Sequence, residues 1–313
     1  MTDINTTPAQ LEQGHKVKAG VRTTITVSAK ELCIIVGAEN HYNTYGLKMM
    51  FFAPAVRDIL SGKDQYDAFR ILYFPDGYND QEIQHVINSL KEIDVTITAV
   101  NSISEMLTEL NCVSPVCKIQ RLNIYAHGYP LQISFNLDGS TEDICRFSME
   151  HVEKIDNAIF RPGAELWSYA CRTGNAVPDD YAADWVDRIR YFEWDFEYDE
   201  GFKSDADAKR EQSLAQALAN HSNITVHAWL TRTLYERIWN DQGNQQYRNG
   251  FVEIPHPGAD GGWSREMKSL IPFMNEEDKD DLILWNQQGA KNGITGARSP
   301  KGLSNTPFTF VKQ

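Results

Sequence analysis

Two short stretches carry residue types that can do covalent chemistry together. Ile124-Tyr125-Ala126 runs into His127-Gly128, and Ser168-Tyr169-Ala170 runs into Cys171-Arg172-Thr173-Gly174. A thiolate is a strong nucleophile toward acyl carbon, and a nearby histidine supplies the base or cation that favours ionised sulfur. Acyl transfer also needs amide N–H donors aimed at the developing oxyanion. Gly128 has no Cβ, so its amide can approach a substrate closely. The Cys171 amide sits at the turn itself. The pair thus offers a base (His127), a nucleophile (Cys171) and two oxyanion donors (the amides of Gly128 and Cys171).

These residues need elements that bring them together. Each follows an apolar run closed by glycine, Ile119 to Ala126 in one case and Ala164 to Ala170 in the other. Such runs read as buried strands that present side chains at the carboxyl edge of a sheet. The forty-four positions from His127 to Cys171 hold a predicted hairpin over Leu131 to Leu137 with Asp138-Gly139, a helix from Met149 to Phe160 capped by Ser148, and the second strand. A crossover of that length can lay two parallel strands side by side. Taken singly, a strand-end histidine is ordinarily structural and a cysteine on an apolar strand is ordinarily core. Their order and their shared glycine closure carry the reading.

The rest of the chain repeats the strand–helix pattern. Glu31 to Gly37, Phe69 to Phe74, Val95 to Val100 and Ile224 to Leu230 read as further strands. Helices are expected over Pro54 to Ser61, over Gln81 to Ile93 with Asp80 as its cap, after Ser102 or Ser104, and over Asp207 to His221. Residues 38–52 read as a loop over one end of the sheet. Pro162-Gly163 is expected to stop the helix before the Cys171 strand. The fold class is therefore α/β, a mostly parallel sheet of about six strands with helices on both faces. Residues 1–29 read as a polar arm, 30–235 as the catalytic domain and 236–313 as a loop-rich extension packed on it.

The two motifs resemble those of caspase-like cysteine peptidases (clan CD), the group of caspases, metacaspases, clostripain, gingipain, legumain, separase and the bacterial CHAT-type proteases. The order and gap match the caspase pattern of a histidine roughly 50 residues before a Q-A-C-[RQG]-G cysteine. The resemblance spans roughly residues 30–235, with ACRTG most similar to the CHAT and clostripain-like versions. It implies a three-layer caspase-like fold and a thiol protease whose His127–Cys171 dyad hydrolyses peptide bonds through an acyl-enzyme, without a required third residue. Tyr169 stands where caspases have glutamine, and Thr173 is an extra residue before the glycine. Tyr169 and Arg232, which follows the Ile224 to Leu230 strand, are the candidate substrate-binding residues. The rival reading is a catalytically silent caspase-like fold acting as a binding or regulatory module.

Composition narrows the alternatives. The 313 residues carry a net charge of -13, against a general nucleic-acid-binding surface. No run of about 18 apolar residues is present, so no membrane span is expected. The first residues lack a secretory signal pattern, and five cysteines suit free thiols; a cytoplasmic location follows as the expectation. Cys112 and Cys117 complete no zinc-ligand set, and Gly37 opens no G-x-G-x-x-G turn, so neither metal nor cofactor is expected. The expected partner is a peptide or protein substrate. From Asp179 to Asp207, eleven Asp and Glu face three Lys and Arg. This stretch reads as a solvated loop, a lure or pocket wall for basic peptides, a divalent-cation loop without EF-hand spacing, or a processed linker.

Overall fold

Alternation in β1 (Ala29–Val36) sends Leu32, Ile34 and Val36 to one buried face and Cys33 and Ile35 to the other. A strand buried on both sides needs a layer above and a layer below. The computed structural model describes residues 28–40, 45–112, 116–177, 204–235, 238–239, 285–296 and 303–313. The expected polar arm, apart from residues 28–29, and residues 179–203 of the acidic stretch lie outside the described residues, as does most of 236–313.

After β1 come the helices α1 (Tyr45–Lys48) and α2 (Phe52–Gly62), then β2 (Ala68–Tyr73), α3 (Asp80–Leu90), β3 (Val95–Ala99), α4 (Ile103–Asn111) and β4 (Cys117–Tyr125). A small antiparallel sheet follows, made of β5 (His127–Tyr129), β6 (Gln132–Ser134) and β7 (Arg146–Ser148). The chain continues through α5 (Met149–Val152), β8 (Phe160–Ser168), α6 (Leu214–Ser222), β9 (Thr225–Ala228), β10 (Thr233–Leu234), β11 (Thr295–Gly296) and β12 (Phe308–Phe310). Among the described residues the main sheet has seven strands in the order β12-β9-β8-β4-β1-β2-β3, all parallel except β12. Helices α2 and α3 pack on one face, and α4, α5 and α6 pack on the other. This is the three-layer arrangement expected, with one strand more than the expected six. The added strand, β12, is only three residues long and pairs antiparallel with β9. Among the described residues no helix is long and apolar enough to cross a membrane.

Local chemistry sets several boundaries differently from the sequence expectation. The cap of α3 is Asn79, not Asp80: Asn79 Oδ1 accepts the Glu82 N–H at 3.0 Å and Glu82 Oε2 accepts the Asn79 N–H at 2.8 Å. Ser102 caps α4. The hairpin turns at Pro130-Leu131, between β5 and β6, rather than at Asp138-Gly139. Helix α5 ends at Val152, and Pro162-Gly163 lies inside β8. The β4–β8 register jumps there, from Ile119↔Phe160 to Arg121↔Glu165. Gly163, at φ +74°, takes the backbone angle that a bulge needs and that other residues resist.

The chain makes β1, β2 and β3 outward in one direction and then returns to place β4 on the other side of β1. The segments leaving β1 and β4 meet at the carboxyl edge of the sheet, where the Ala38 N–H donates to Phe135 O at 2.7 Å; this is the edge at which open α/β sheets bind ligands.

Candidate active site

Parallel pairing of β4 with β8 ends at Ile124↔Ser168, and the Tyr169 N–H donates to Ile124 O at 2.9 Å. His127 and Cys171 each lie three residues beyond that pair. The two strand ends touch. A Cβ added at Gly128 would fall 2.5 Å from Cys171 O, 2.8 Å from Cys171 N and 2.8 Å from the Ala170 Cβ. Only glycine permits this approach, so the main chains of Gly128 and Cys171 lie against one another.

The third contributor comes from β1. Glu39, just past the strand, has its carboxylate fully buried and meets His127 Nε2 at 2.7 Å. The imidazole is itself only 17% exposed. Phe51 presents an edge-on contact to the His127 ring at 5.0 Å and makes a second one with Tyr235 at 5.0 Å. Glu39 was not singled out by sequence reasoning, which treated residues 38–52 as a loop. Its only signal there is an acid shortly after an apolar strand ending in Gly37.

The turn that carries the thiol is fixed by main-chain bonds to a distant segment. The Arg172 N–H donates to Thr231 O at 2.9 Å and the Gly174 N–H to Trp229 O at 3.0 Å. The Thr173 hydroxyl donates to Ser168 Oγ at 2.8 Å. Arg172 takes φ +58°, a left-handed angle that turns the chain sharply at the residue after the cysteine. A Cβ at Gly174 would meet Phe310 Cζ at 2.9 Å and Leu230 Cδ2 at 3.1 Å, so a larger residue here would have to displace the β12 ring.

Cys171 is half-buried and not in a disulfide. Its sulfur rests on Thr233. The Thr233 N–H donates to Sγ at 3.3 Å, and Thr233 Oγ1 lies 3.4 Å from Sγ. Thr233 also donates its hydroxyl proton to Tyr169 O at 2.7 Å. Tyr235 donates to the same carbonyl at 3.1 Å, and burial pushes its phenol far above the usual range. Arg232, half-buried, directly precedes the strand residue that holds the thiol.

The Tyr169 side chain lies elsewhere. It is 8% exposed and stacks on Tyr125 at 4.7 Å in the core under α2, and its hydroxyl is 3.5 Å from Arg121. Burial raises the pKa of this phenol. What Tyr169 contributes near the thiol is its carbonyl.

The main chains of Gly128 and Cys171 thus meet, with Glu39 on the His127 ring and Thr233 on the Cys171 sulfur; Arg232 is placed next to Thr233 in the chain. Among the described residues no group of His, Cys, Asp and Glu is arranged to hold a metal ion. Comparison with family models, curated proteins and solved structures finds no match to this chain.

Proposed function

We propose that the chain is a caspase-like cysteine endopeptidase with His127 and Cys171 as its dyad. The observation that carries this reading is the contact of Gly128 with the Cys171 main chain, which brings a strand-end His-Gly and a strand-end Cys together at the carboxyl edge of the sheet. Glu39 extends the dyad. A carboxylate on Nε2 fixes the orientation of the imidazole ring.

In the proposed reaction, the Cys171 thiolate attacks the scissile carbonyl and forms a tetrahedral oxyanion. In this reading the amides of Gly128 and Cys171 stabilise that charge. Collapse expels the amine, which His127 protonates, and leaves a thioester on Cys171. Water, deprotonated by His127, then hydrolyses the thioester and restores the thiol.

Cleavage of a mixed peptide library by the wild type, Cys171→Ala and His127→Ala tests the reading. The wild type is expected to cleave, and both variants are expected to fall to background. Cleavage by Cys171→Ala at the wild-type rate, or a folded wild type that cleaves no member, would sink it.

A further inference from the structure

Thr233 has a single hydroxyl proton. At rest it is given to Tyr169 O at 2.7 Å, so the oxygen that faces Cys171 Sγ at 3.4 Å can only accept there. The thiol proton is then directed at Thr233 Oγ1, with Thr233 O, at 4.0 Å, a weaker alternative. Meanwhile the Thr233 N–H already points at the sulfur at 3.3 Å. Tyr169 O holds a second donor, the Tyr235 hydroxyl at 3.1 Å, and stays satisfied if Thr233 lets go. Thr233 is buried, so water is a poor substitute for any of these partners.

We propose that Thr233 is a hydroxyl switch that stabilises the Cys171 thiolate, its O–H rotating from Tyr169 O to the sulfur when the thiol loses its proton. Only the S–H bond breaks in this step. Its proton goes to His127 in the enzymatic reaction, or to solvent base when a small alkylating agent is the electrophile. The thiolate then receives two hydrogen bonds from one residue, the amide N–H and the hydroxyl, in a site where each charge-assisted bond counts more than in water. β11 pairs with β10 and so helps to hold this residue in place: Thr233 pairs with Gly296 and Leu234 with Thr295. The inference rests on the reading of Cys171 as the nucleophile, but it is tested without a peptide substrate.

The experiment measures iodoacetamide alkylation of Cys171 in the full chain, read by mass spectrometry of the Cys171 peptide at pH 7 and at pH 10. Thr233→Val keeps the shape and the amide but removes the hydroxyl; it is expected to slow alkylation about tenfold at pH 7 and to leave the rate at pH 10 within about twofold. Thr233→Ser is expected to restore the pH 7 rate. Tyr235→Phe leaves Tyr169 O dependent on Thr233, pins the switch and is expected to slow the pH 7 reaction several-fold. This second variant keeps the test in force if Thr233→Val does not fold. Equal slowing at both pH values, an unchanged pH 7 rate in Thr233→Val or Tyr235→Phe, or failure of Thr233→Ser to restore it would overturn the proposal. Loss of peptide cleavage with the alkylation pattern intact would count against the peptidase reading alone.

Discussion

At the scale of single residues, the candidate site is a set of donors and acceptors paired with one another. Glu39 is the clearest case, a fully buried carboxylate against His127 Nε2 at 2.7 Å. Burying a charge is costly unless it is paired, so the pair is held for orientation as much as for stability. Glu39→Gln keeps the shape and replaces the carboxylate that holds the His127 ring. Under the proposed reading it is expected to lower kcat on a peptide substrate by about 10²-fold with little change in KM. An unchanged kcat would remove Glu39 from the machinery. The strand ends that carry His127 and Cys171 were legible in the sequence because each ends a strand-like run closed by a glycine, Gly128 in one case and Gly174 in the other. Glu39 was not. Its partner lies 88 residues along the chain, and their meeting depends on β4 returning to the side of β1 opposite β2. No local pattern encodes that return. Thr233 is hidden for the same reason, since its contact with Cys171 spans 62 residues.

At the scale of elements, the strands read well and the connections poorly. Runs such as Leu32 to Gly37 are apolar at every position because both faces are covered, and that signal survives in one dimension. Pro162-Gly163 looks like a helix stop in the sequence but sits in a bulge of β8, because tertiary pairing overrides the usual meaning of those residues. β12 was unreadable: three residues among loop-forming neighbours carry no period. It nonetheless bears on the site. Phe310 is 4% exposed and its ring meets the turn at Gly174. Phe310→Ala is expected to destabilise the fold by about 3 kcal/mol and to loosen the thiol-bearing turn as well. Urea unfolding and the alkylation rate of Cys171 measure the two effects. A variant as stable as the wild type would mean that β12 contributes little to the core.

At the scale of the whole molecule, β9 and β12 are also joined by a titrating group. His227 stacks on Trp167 at 4.0 Å, and its Nδ1 lies 3.2 Å from Thr309 Oγ1. Burial lowers its pKa, and Glu165 only partly opposes this. The unfolded chain therefore binds the proton first, so the stability that His227 contributes is present above its unfolded value of about 6.5 and is lost as pH falls through and below it. The stability gap between wild type and His227→Gln is expected to be larger at pH 7 than at pH 5, as urea unfolding at each pH would show. A gap that widens on acidification would contradict this sign.

The turn at Cys171 to Gly174 has a further consequence, one of timing. Its shape is imposed by Trp229, Thr231 and Phe310, all distant in sequence. Contacts of long sequence separation close late in folding. The centre of the sheet, β1 with β2 and β4, pairs across at most 89 residues and can form before Phe310 closes onto Gly174 across 136. Under the proposed reading, a copy caught part-way through folding has a sheet but no ordered nucleophile, so the hazard that a peptidase poses to its neighbours arises only once the last strand has docked.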